Sequence, residues 1–94
     1  MSDKRQWPET VDQAVGVLLG LLPDAEKAKV AAIAQDDLVA LHLGLGMWIR
    51  NNLGLWSENS ALLESARAQN PDDASVVIIE ALWRRLREET PKVH

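Results

Sequence analysis

Apolar residues recur at three- and four-residue steps along most of the chain, the period of helices buried along one side. The first such segment runs from about Thr10 to Leu22, with Val11, Ala14, Val15, Leu18, Leu21 and Leu22 as its stripe. Thr10 and Gln13 form a capping box at its start, and Pro23 ends it. Gly16 and Gly20, four apart, would permit a neighbouring backbone to approach closely. A second, short segment covers about Asp24 to Ala34. Asp24 and Glu26 suit its dipole, and Val30 and Ile33 point inward. A fourth, about Ser60 to Ala68, takes Ser57 or Asn59 as its cap and turns Leu62, Leu63 and Ala66 inward. The fifth opens with Asn70 as N-cap, Pro71 as N1 and Asp73 as the N3 acid, and continues to about Glu89. Ile78, Ile79, Leu82, Trp83 and Leu86 hold helical spacing through "SVVIIEALW", so its β-branched cluster reads as helix.

The third segment, about Gln35 to Leu53, is different. Its apolar residues surround the helix: Leu38, Leu41, Leu45, Trp48 and Ile49 lie on one side, Val39, Leu43 and Gly46 beside them, and Ala40, Gly44 and Met47 close the circle. A helix apolar all round is expected to be buried on several sides. The predicted architecture is therefore all-α, a compact single-domain bundle of four to five helices with Leu38–Asn52 as the central buried helix. The expected domain spans residues 1–94, with an ordered core of about 7–89 and frayed termini.

Composition narrows the function classes. The chain has 94 residues and no cysteine, which excludes disulfides, thiolate metal sites and cysteine nucleophiles. It carries a net charge of −4. Its densest basic cluster, Arg84, Arg85 and Arg87, is offset by Glu80, Glu88 and Glu89 at i,i+4 spacings, the pattern of a solvated helix face. Nucleic acid is not the expected partner. "MSDKRQWPET" has no apolar stretch of signal-peptide length, and "LVALHLGLGMWI" is too short to span a bilayer. The expectation is a cytoplasmic protein that uses no membrane.

Candidate chemistry collects in "LHLGLGMWIRNNLGLW". His42, Gly46 and Arg50 lie at i, i+4 and i+8. Gly46 fits either a close helix crossing or the floor of a gap that admits a small acidic group. His42 alone reads as a satisfied core residue. Arg50 is the one formal charge between Leu38 and Ser57. It fits a clamp onto Asp72 or Asp73 at the opening of the fifth helix, or a ligand contact. Asn51 and Asn52 suit a helix end or an amide-presenting surface, and Gly54 suits the C-terminal stop. No metal site is expected: His42 with the two aspartates matches no familiar ligand spacing.

"HLGLGMWIRNNLGLW" followed by "NPDDASVVI" resembles the signature of a small bacterial helical domain family of unknown function, in which HxGxGxWIRNxxGLW is paired with PDDxS. The resemblance runs from about Trp7 to Leu86. It implies a small cytoplasmic helical domain, often standing alone, with no assigned activity. It also implies that His42, Gly46, Arg50, Asn51, Asp72, Asp73 and Ser75 belong to one constellation.

Three functions compete. The first is a non-enzymatic interaction or regulatory module, antitoxin-like or immunity-like, whose partner is another protein or a second copy. It predicts an apolar or acidic surface patch beyond what the core needs. The second is a small-anion-binding domain using His42, Arg50 and an Asn. The third is a small hydrolase with His42 as base, Asp72 or Asp73 as orienter, and Ser75 nearby. No cofactor is expected.

Overall fold

The computed structural model of the chain describes residues 7–55 and 59–89. All regular elements among them are helical, as the spacing predicts. Helix α1 spans Val11–Leu21 and α2 spans Asp24–Ala32. A 3₁₀ segment, Gln35–Leu41, runs into a π turn, His42–Gly46, and then into α3, Met47–Asn52. Helix α4 is Ser60–Ser65 and α5 is Pro71–Glu89.

The ends follow from local chemistry. The Gln13 N–H donates to Thr10 Oγ1 at 3.0 Å, while Gln13 Oε1 accepts from the Glu9 N–H at 2.9 Å. That is a capping box displaced by one residue. Ser65 on α4 adds a third cap by accepting the Val11 N–H. At α5 the box is reciprocal: the Asp73 N–H donates to Asn70 Oδ1 at 2.8 Å and Asn70 Nδ2 donates to Asp73 Oδ2. Helix α4 ends in a Schellman turn. The Ala68 N–H reaches the Leu63 carbonyl, the Arg67 N–H reaches the Glu64 carbonyl, and Arg67 itself takes φ 57°. Glycine usually holds this left-handed position.

Helix α5 is the hub and packs against every other element. Its stripe of Ala74, Ile78, Ile79, Leu82 and Leu86 is buried, with Ala14, Val15 and Leu18 of α1 facing it across the core. Its distal end also satisfies α2, whose last carbonyls lack helical partners. Trp83 Nε1 donates to the Ile33 carbonyl at 2.7 Å, and Arg87 Nη1 donates to the Ala31 carbonyl at 2.9 Å. The Arg87 guanidinium also lies 4.9 Å from the centre of the Trp83 ring. So Arg87 closes a helix end instead of joining a solvated charge ladder. Of the expected i,i+4 pairs, Glu80–Arg84 is present at 3.3 Å. The Arg85–Glu89 pair and the tail beyond it lie outside the described side chains.

The expectation for Leu38–Asn52 needs correction on two counts. It is not one α-helix, and it is not the centre. Gln35 Nε2 donates to Glu80 at one end and Arg50 bonds to Asp72 and Ser75 at the other, so both ends of the segment rest on α5. Between them the chain takes 3₁₀ geometry and then widens into a π turn. Gly44 and Gly46 weaken the competing α-helix by about 1 kcal/mol each. Only one side is buried, at Leu38, Gly46, Ile49 and Arg50. Val39, Leu43, Met47 and Trp48 face solvent.

Gly16 and Gly20 do not mediate a close crossing either. A Cβ at either would meet nothing within 4 Å, and the same holds at Gly44.

Candidate functional site

Two features stand out where α5 meets the broken segment: a polar knot on the inner side and an apolar face on the outer side.

Arg50 occupies the last turn of α3 with 6% of its surface exposed. Its Nε lies 3.3 Å from Asp72 Oδ1, and its Nη1 donates to Ser75 Oγ at 3.1 Å. The Ser75 hydroxyl, fully buried, donates in turn to the Asp72 carbonyl at 2.8 Å. Asp72 and Ser75 sit one turn apart because α5 begins at Pro71, which aims both at the end of α3. The arrangement ties two helix termini together through a charge-assisted bond.

Of the constellation read from sequence, the structure brings together Arg50, Asp72 and Ser75. Asp73 is taken up by the α5 cap. Asn52 Nδ2 donates to the Trp48 carbonyl of its own helix at 2.9 Å. Asn51 is exposed. Gly46 is buried, with the ordinary helical dihedrals φ −60° and ψ −43°. The side chain of His42 lies outside the described part of the structure, as do Trp56 and Ser57.

The chemical consequences are restrictive. Ser75 accepts from a guanidinium and donates to a carbonyl, so among these partners none is a base that would activate it as a nucleophile. An anion at Arg50 would compete with Asp72 for a guanidinium that is almost enclosed. No group of three or more potential metal-ligating side chains occurs among the described residues.

Asn59 forms a second polar knot that sequence reading undervalued. It is buried, and its Nδ2 donates to the Pro8 carbonyl at 2.8 Å and to the Leu53 carbonyl at 2.7 Å. Its Oδ1 accepts the Leu62 N–H and so caps α4. Beside it, Gly54 takes φ +79° and lies against the Trp7 indole, where a Cβ would overlap the ring. The Asn and Gly were visible in the sequence as a cap and a stop. Their partners tens of residues away, Trp7 for Gly54 and Pro8 for Asn59, were not.

The outer side carries the feature that pattern reading missed. Val39, Leu43 and Met47 recur every four residues and stand exposed, Val39 at 75% and Leu43 at 74%. We call this exposed row the ridge; the stretch that carries it lends residues to two grooves. On the α1–α2 side, Leu21, Leu22, Leu41, Leu45 and Trp48 line a groove of about 550 Å³. On the α5 side, Leu38, Val39, Val76 and Ile79 line one of about 300 Å³. Single exposed apolar residues are ordinary; several in one short stretch are not.

The family model for a domain of unknown function, DUF6794, matches residues 7–86. The chain belongs to this family. The match takes in every helix of the bundle apart from the last residues of α5, together with both polar knots and the apolar ridge. The DUF6794 description assigns no activity, in keeping with the uncharacterised family that the paired motifs suggest. No curated protein and no solved structure matches the chain. No helix among the described residues is long and apolar enough to cross a membrane.

Proposed function

We propose that this DUF6794 domain is a non-enzymatic interaction module that binds another protein through the face built by residues 39–48. The observation that carries the reading is the ridge of Val39, Leu43 and Met47, which stays in water together with the neighbouring Trp48 while Leu38 and Ile49 of the same stretch are buried. Covering a Leu or Val releases roughly 1.5–3 kcal/mol, so a partner that buries this ridge gains substantially. Asp72 and Ser75, two of the residues considered for catalysis, are bonded to Arg50 across α3 and α5, which supports a scaffolding role for them. A regulatory or immunity-like role is one form this module could take.

The test is comparative co-purification from the native host, using the wild-type chain, Leu43→Asp and, as a control remote from the ridge, Gly16→Ala. A partner retained by wild type and Gly16→Ala, lost by Leu43→Asp, and bound again when both proteins are purified is the expected result. Identical partners on all three chains would overturn the reading.

A further inference from the structure

We infer that residues 35–46 are a two-state element, a shutter in which Leu41 either packs on the core or turns into the neighbouring groove. The role given to the groove rests on the interaction reading; the interchange itself does not.

The present conformation is the less usual one. Its 3₁₀ run holds seven residues, beyond the length at which the poorer hydrogen bonds of such helices normally end them, and a π turn of five residues follows. The tight winding of the first is undone by the wide winding of the second. Side chains at i and i+3 eclipse in 3₁₀ geometry, so Leu38 and Leu41 lie one above the other, Leu38 buried and Leu41 half-buried against the core. Past the π turn, Ile49 is buried again.

An unbroken α-helix over the same residues meets the same two anchors. Leu38 and Ile49 are eleven residues apart, and eleven steps of about 100° return to within about 20° of the starting face. Between these anchors Leu41 changes sides. At α spacing it turns about 60° away from Leu38 and joins Leu45 and Trp48 in an i, i+4, i+7 row. Leu45 and Trp48 belong to the wall of the groove of about 550 Å³ beside α1 and α2, so the row carries Leu41 off the core and into that groove. Gly44 lines the same wall, and a Cβ there would meet nothing within 4 Å, so no neighbour blocks the backbone from turning. Burial of Leu41 favours the tight form, the better hydrogen bonds of an α-helix favour the other, and Gly44 and Gly46 hold that advantage down. The balance lies between small opposing terms. An occupant of the groove would select the tight form, because it needs the space that Leu41 takes in the other.

The test is relaxation dispersion by NMR on the full chain, as wild type and as Leu41→Gln. Amides of residues 36–47 should share one exchange process that α5 lacks, with a minor state carrying α-helical Cα shifts. The Trp48 indole N–H should report the same rate. Leu41→Gln removes the gain from burial without weakening an α-helix, so it should raise the minor population about fivefold. Flat dispersion over 36–47 in wild type would overturn the two-state element, whatever the variant does. A minor state with coil shifts would overturn it in favour of local unfolding. Backbone exchange with a silent Trp48 indole would overturn the shutter at the groove. None of these readouts needs a partner, so each failure leaves the co-purification result to decide the interaction reading by itself.

Discussion

Helix α5 and the segment 38–49 are both rich in apolar residues, and they end in opposite situations. In α5 most apolar residues gather on one side, where Ala74, Ile78, Ile79, Leu82 and Leu86 are buried, and Val76 is the large apolar residue it leaves exposed. In 38–49 nearly every residue is apolar, and of the eleven whose burial is described six are exposed. A bundle of this size has one layer of neighbours to offer. An element that is apolar all round can be covered on one side by its own chain, and its other side waits for something else. Uniform apolarity therefore leaves an exposed apolar face in a small domain, where in a large one it would point to the centre; under the proposed reading that face is the interface.

The largest expected effect contrasts the two directly. Leu82 of α5 has no exposed surface, and Leu82→Ala should cost about 3 kcal/mol through lost transfer energy and an unfilled cavity. In urea melts that would consume a large part of the stability of so short a chain. A loss below about 1 kcal/mol would mean that α5 is not the hub.

Gly54→Ala comes next. The substitution adds a Cβ both at a left-handed residue and against the Trp7 ring, for which the two penalties together are about 3 kcal/mol. A chain of this length should then lose more than about 10 °C in Tm. An unchanged Tm would show that Trp7 does not rest on Gly54 in solution.

The Arg50 knot should respond asymmetrically. The Asp72 side chain is 62% exposed while that of Arg50 is almost enclosed. Asp72→Ala leaves a buried guanidinium short of its carboxylate and removes an acid from the first turn of α5, at about 2 kcal/mol. Arg50→Met leaves a carboxylate that water can solvate, at about 1 kcal/mol. Equal losses in chemical denaturation would argue against the clamp as drawn.

These residues also show where sequence sufficed. Caps and stops are local chemistry, so Thr10, Asn70, Pro71 and Gly54 announced their roles within a few positions. The approach of Arg50 to Asp72 was legible because a single charge in an apolar stretch needs a partner and few carboxylates stood near a helix start. What could not be read was how much neighbouring chain would exist to cover Leu38–Asn52, or that the segment would leave α geometry. Those depend on the packing of the whole bundle. The glycines misled for the same reason: spacing allowed a crossing at Gly16 and Gly20, and only the neighbours could deny it.

Gly16→Ala reverses the sign. With nothing near its added Cβ, this substitution in the exposed middle of α1 should stabilise by about 1 kcal/mol. Destabilisation would mean that α1 is covered there in solution.

The smallest expected effect is the most informative for function. Leu43→Ser removes an apolar side chain that the folded monomer leaves three-quarters exposed, and exposed positions of this kind change stability by no more than about 0.5 kcal/mol. The urea midpoint should therefore match wild type while binding to the partner collapses. Stability and binding then part company at this residue, which neither a core leucine nor an idle surface leucine would allow. A core residue would cost stability; an idle one would cost nothing in either assay. A loss above about 1.5 kcal/mol that grows with protein concentration would instead place a second copy over the ridge, since an interface that forms only in the folded state contributes stability by mass action.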